Sequence, residues 1–206
     1  MWLHEAIQAA DTDRTGRALE QTLTMPVVKI LAVLIWIPGM PHSGWEPMHI
    51  VMGWLHLTGY VAFGLSGVVD ISARHGKIGS RATYFALAGA SLINALLFWV
   101  HGAPPDVEGT AHLLLILMFV SVAMFALLEA THPNSSASWF RIGSMIGLGI
   151  WMIITGWIVD GSGWASHDHV RVAQVWLIFA WTILVVATVT TLASVWSLRL
   201  ARVNTH

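Results

Sequence analysis

Residues 110–128 read TAHLLLILMFVSVAMFALL, with His112 as the sole ionisable side chain. As a helix, this stretch rises about 28 Å at 1.5 Å per residue, close to the ~30 Å of hydrocarbon in a bilayer. It does not alternate between polar and apolar positions, and it is longer than the roughly 9–11 residues of a barrel strand. A transmembrane helix is the reading that fits. Similar apolar runs lie at 24–39, 48–70, 82–100, 137–159 and 170–198. The breaks carry turn-forming residues: Pro38-Gly39-Met40-Pro41, then Gly76 and Gly79, Pro104-Pro105, Pro133-Asn134, and Asp160-Gly161-Ser162-Gly163. The expected fold is all-α, a polytopic bundle of six transmembrane helices. The first run is the shortest and contains Pro26 and Lys29.

Composition points the same way. Hydrophobic residues make up 56% of the 206 and charged residues only 10%, against about 25% charged in soluble domains. With no Cys, disulfides, thiolate metal sites and thiol nucleophiles are excluded. A net charge of −1 argues against a nucleic-acid partner. Residues 1–22 lack the basic-then-apolar build of a signal peptide. They are expected on the cytoplasmic side, with Trp2 and Ile7 able to anchor an interfacial helix. Residues 23–200 are expected to form the bundle, in one domain spanning 1–206.

Lys and Arg orient the chain. Arg14, Arg17, Arg74, Lys77, Arg81, Arg141, Arg199 and Arg202 fall on one side of a six-span arrangement, and only Arg171 on the other. The positive-inside rule places both termini in the cytoplasm of a multi-pass protein in an inner or plasma membrane. Trp36, Trp45, Trp54, Trp99, Trp157 and Trp164 form an outer aromatic belt, with Trp139 and Trp196 inside. Asn94, mid-span, suits a helix–helix hydrogen bond. Gly143 and Gly147, with Gly149 and Gly156, give their helix a small-residue face for close packing. Glu129 and Asp70 lie near Arg74, Arg81 or Arg141 in depth, which suits ion pairs at the membrane edge.

Histidine is unusually frequent: 11 residues, against 10 Lys+Arg and 11 Asp+Glu. His42, His49, His56, His101, His112, His167 and His169 fall in the outer layer. Glu46, Asp106, Glu108, Asp160 and Asp168 join them there. His49 and His56 are two helical turns apart and share a face with Met52; Glu108 and His112 are one turn apart. Imidazole and carboxylate at helical spacing are what helical bundles use to hold metal ions. The expected ligands are His49, His56, His101, Glu108 and His112. Met52, Asp106, Asp160, His167 and His169 form a surrounding set that supports the ligands or guides an ion inward. Without thiolate, the candidate ions are copper, zinc and iron. Haem on a bis-His pair such as His56 with His112 is the alternative. Four-helix cytochromes usually show two pairs at two depths, and the inner half here has no second pair.

The segment Met52-Gly53-Trp54-Leu55-His56-Leu57-Thr58-Gly59-Tyr60, continuing through Phe63-Gly64-Leu65-Ser66-Gly67 to Asp70, resembles the core of the transmembrane protein 45 family (domain of unknown function 716). His49 and His56 match that family's histidines on either side of Gly-Trp. His101-Gly102, His112 and Leu128-Glu129 match its later pattern, and Trp151 to His169 its last loop. The resemblance covers roughly residues 18–198 and implies a bacterial-type member that lacks the family's first span, with its Gly-His-x-x-Pro-Gly motif. Leu55-His56 stands where the family often has His-His. The likeness implies the bundle and the histidine site, and no particular reaction.

The functional expectation is a membrane protein with a His/carboxylate metal site near the extracytoplasmic face. It would serve as a metal-holding accessory subunit of a larger membrane complex, with the lipid bilayer and other membrane subunits or a second copy as partners. The alternative is a metal-dependent membrane enzyme, a hydrolase or oxidoreductase, acting on a lipid or small apolar substrate. Transport is disfavoured, because residues 113–128 carry no ionisable group to continue a pathway inward.

Overall fold

The computed structural model describes the backbone of residues 47–101, 106–132, 135–161, 163 and 169–203. Side chains are described for 54–100, 106–132, 136–159, 163 and 169–196. Five α-helices follow in order: α1 (Pro47–Arg74), α2 (Arg81–His101), α3 (Val107–Thr131), α4 (Ser135–Gly156) and α5 (His169–Val203). A π-helical turn, Trp157–Gly161, extends α4. All five helices are long and apolar enough to cross a membrane. They coincide with the last five expected runs. The first expected span, 24–39, lies outside the described residues.

Four of the helices outrun their apolar stretches at both ends, and α4 does so once its π-helical turn is included. The start of α3 gives the clearest local cause. Asp106 is extended (φ −108°, ψ −174°), and its Oδ1 accepts the Gly109 N–H at 2.7 Å. That cap starts the helix at Val107, three residues before the apolar run.

The central helix is α3. Half of its apolar window is buried, against 17% for α1 and 11% for α5. It packs between α2 and α4; α1 lies on α2, and α5 on α4 and α3. Ala111, Leu114, Val122 and Ala126 of α3 have no exposed surface. Alanines at two of these positions let neighbouring helices approach closely. In hydrocarbon this packing, rather than burial from water, holds helices together.

Polar and glycine contacts set the register between helices. Asn94 Nδ2 donates to Gly59 O at 3.1 Å, joining α2 to α1, and to Ala90 O at 2.9 Å. Gly143 meets Thr190 of α5, and Gly147 meets Met118 of α3 and Val186 of α5. Gly149 and Gly156 meet no other side chain among the described residues, so within these five helices only half of the expected glycine face is used. Trp54, Trp99 and Trp157 are exposed where α1 begins and α2 and α4 end, as an aromatic belt requires.

Gly59 allows a direct test. A Cβ there would run into Asn94 Oδ1. Gly59→Ala is therefore expected to displace the buried amide and cost about 1–3 kcal/mol. Gly89→Ala, which meets nothing within 4 Å, is expected to be neutral. Unfolding of the two purified variants in detergent, followed by circular dichroism, compares them. Equal midpoints would sink the idea.

Candidate functional site

The first turn of α3 builds the outer site. Beyond the Asp106 cap, Thr110 Oγ1 donates to Asp106 O at 2.7 Å, tightening the turn. Glu108 lies in this turn, where the helix dipole favours a carboxylate. Its side chain is 53% exposed, and Oε1 lies 4.0 Å from Nδ1 of His112 one turn further on. That distance is too long for a hydrogen bond. It is at the outer limit of an ion pair, which forms only with a protonated ring.

His112 is buried, in an α3 segment that is otherwise apolar. Its ring stacks on Phe98 of α2, with centroids 5.4 Å apart and planes at 26°. His56 of α1 meets the same phenyl ring edge-on at 6.0 Å. Phe98 also stacks on Phe119 at 5.7 Å, and Phe119 lies 6.0 Å from Phe63. Imidazoles from two helices thus gather around one aromatic ring at one end of the bundle.

The other expected site residues divide into two groups. Asp106 is present as the α3 cap, and His169 is exposed at the start of α5. The side chains of His49, Met52, His101, Asp160 and His167 lie outside the described residues. Among the described residues, no group of three or more His, Asp or Glu is gathered as a metal site.

Sequence reasoning missed two residues of this region. Phe98 looks like any other apolar residue of its span, and nothing in its spacing marks it. In the sequence Trp151 marks only the start of a loop pattern, and its place between the two belts is the signal for a buried role. It is fully buried, and its Nε1 donates to Ala111 O at 3.2 Å, beside His112. Phe179 of α5 packs against it at 4.9 Å with planes at 79°. A few residues on, α4 passes into the π-helical turn, whose Ile158 is buried in the core. Such turns recur beside functional sites.

The opposite end holds a second polar cluster. Arg141 Nε donates to Glu129 Oε2 at 2.6 Å, and Ser138 Oγ to Glu129 Oε1 at 2.6 Å. The Arg141 and Glu129 side chains are 1% and 3% exposed. The guanidinium carbon lies 5.5 Å from the centre of the Tyr84 ring, and Nη1 lies 3.7 Å from Met145 Sδ. Of the three cations near Glu129 in depth, Arg141 is the one that pairs with it. The pair is buried between helices at this end of the bundle. Both carboxylate oxygens are engaged, so the cluster reads as a link between α3 and α4 with α2 against it.

Among the described residues, long apolar helices, the Glu129–Arg141 pair and the His56–Phe98–His112 contacts point to a multi-pass helical membrane protein. No family model matches the chain.

Proposed function

We propose that the chain holds a transition-metal ion, copper, zinc or iron, near the extracytoplasmic end of its bundle. His49, His56, His101, Glu108 and His112 are the ligands in this reading. The observation that carries it is the meeting of His56 and His112, from α1 and α3, around Phe98, with Glu108 one turn from His112. Ionisable side chains inside a membrane span are costly and mark function by default. The motif likeness to the transmembrane protein 45 family supports the same histidines.

The protein serves as a metal-holding accessory subunit of a larger membrane complex. Six spans with both termini in the cytoplasm follow from the distribution of Lys and Arg. Short connections between helices leave little soluble surface for a separate activity. Among the described residues, Gly149 and Gly156 are exposed with nothing packed against them. That face is available to lipid or to another subunit.

Elemental analysis of the purified full chain tests the reading. About one equivalent of a single transition metal is expected, falling below roughly a tenth in His112→Ala and in His56→Ala. Metal content that is negligible in the parent chain, or unchanged in both variants, would defeat it. A Soret band in the absorption spectrum would replace the ion with haem.

A further inference from the structure

A cationic turn lies at the end of the bundle opposite His56 and His112. Six residues, His75-Gly76-Lys77-Ile78-Gly79-Ser80, join α1 to α2, flanked by Arg74 and Arg81. All eight residues are exposed. The turn has a fixed shape. His75 N–H donates to Ile71 O at 3.1 Å, Gly76 N–H to Ala73 O at 3.0 Å, and Lys77 N–H to Ser72 O at 3.0 Å. Gly76 takes a left-handed conformation, φ 68°, which permits this reversal. On the far side, Thr83 Oγ1 donates to Ser80 O at 2.7 Å.

Lys77 and Arg81 form no ion pair among the described residues. Asp70 lies one turn before Arg74, and Glu129 is buried against Arg141 and Ser138. Between Lys77 and Arg81, Ile78 is 39% exposed. Cations flanking an exposed aliphatic side chain, at the junction of two membrane-crossing helices, match the boundary between headgroups and acyl chains.

We propose that the α1–α2 turn is a seat for anionic phospholipid headgroups, with Lys77 and Arg81 on the phosphate and Ile78 against the upper acyl chain. An anionic lipid fits better than free phosphate, because phosphate offers nothing to Ile78 and is not concentrated at this depth.

Native mass spectrometry of the full chain in detergent micelles, titrated with phosphatidylglycerol or phosphatidylcholine, tests this. Phosphatidylglycerol is expected to be retained in preference. Lys77→Gln with Arg81→Gln is expected to weaken it about 25-fold, roughly fivefold per cation. Lys77→Arg with Arg81→Lys is expected to keep the binding. Both positions are exposed, so an unchanged unfolding midpoint serves as the folding control. Equal retention of the two lipids, or an unchanged affinity in the Gln variant, would overturn the proposal. Displacement of phosphatidylglycerol by an equal concentration of inorganic phosphate would also overturn it, in favour of a plain anion site.

Discussion

Glu129→Leu is expected to destabilise the bundle by about 3–5 kcal/mol, and Arg141→Met by a similar amount. Each single change leaves an unpaired charge at a position that is 1–3% exposed. The cost comes from that isolated ion rather than from the lost attraction alone. It also exceeds the effect of losing a neutral partner. Ser138→Ala, which removes one hydrogen bond to Glu129, is expected to cost about 1 kcal/mol. Removing both charges together has a different outcome. Glu129→Leu combined with Arg141→Met leaves no ion to desolvate and fills similar volume. It is expected to recover most of the loss, giving a coupling energy of a few kcal/mol in a double-mutant cycle. Equilibrium unfolding in mixed micelles measures all four variants. A double variant as unstable as the sum of the singles would show that the two residues do not act as a pair.

Trp151→Ala has the second-largest expected effect, about 2–4 kcal/mol in the same assay. The side chain is fully buried between α3 and α5, against Ala111 and Phe179. Lipid is as apolar as the helix interior, so the loss is chiefly one of packing and of the cavity left behind. Trp151→Phe separates the contributions. It keeps most of the ring but removes the N–H that reaches Ala111 O. That hydrogen bond is worth about 0.6 kcal/mol by the average for membrane helices. A Phe variant as damaged as the Ala variant would contradict this division. Because Ala111 precedes His112 on α3, metal content measured on Trp151→Phe also reports whether this contact positions the histidine.

Five of the expected spans were legible because hydrocarbon imposes a simple rule. Each crossing segment must be long, apolar and internally hydrogen-bonded. Asn94 was legible for the same reason, since an amide in that setting seeks a partner on another helix, here Gly59 O. The candidate site was legible in part. The spacing of Glu108 and His112 follows from helix geometry along one chain segment. Phe98 was not legible, because its role depends on which face of α2 meets α1 and α3. Neither hydropathy nor spacing carries that information. The glycines of α4 make the same point. All four look alike in sequence, yet Gly143 and Gly147 are packed while Gly149 and Gly156 are open.

By itself, the sequence determined that this chain is built of long apolar helices able to cross a membrane, with Glu108 and His112 one turn apart on one of them. Length and polarity against a ~30 Å apolar layer are enough for that. Only the tertiary structure decided that α3 is the central helix, that Glu129 selects Arg141, and that His56 and His112 meet at Phe98. Hydropathy gives the depth of a residue in the membrane but not its direction around the helix axis. Direction is fixed by which small, polar and aromatic side chains interlock between neighbouring helices.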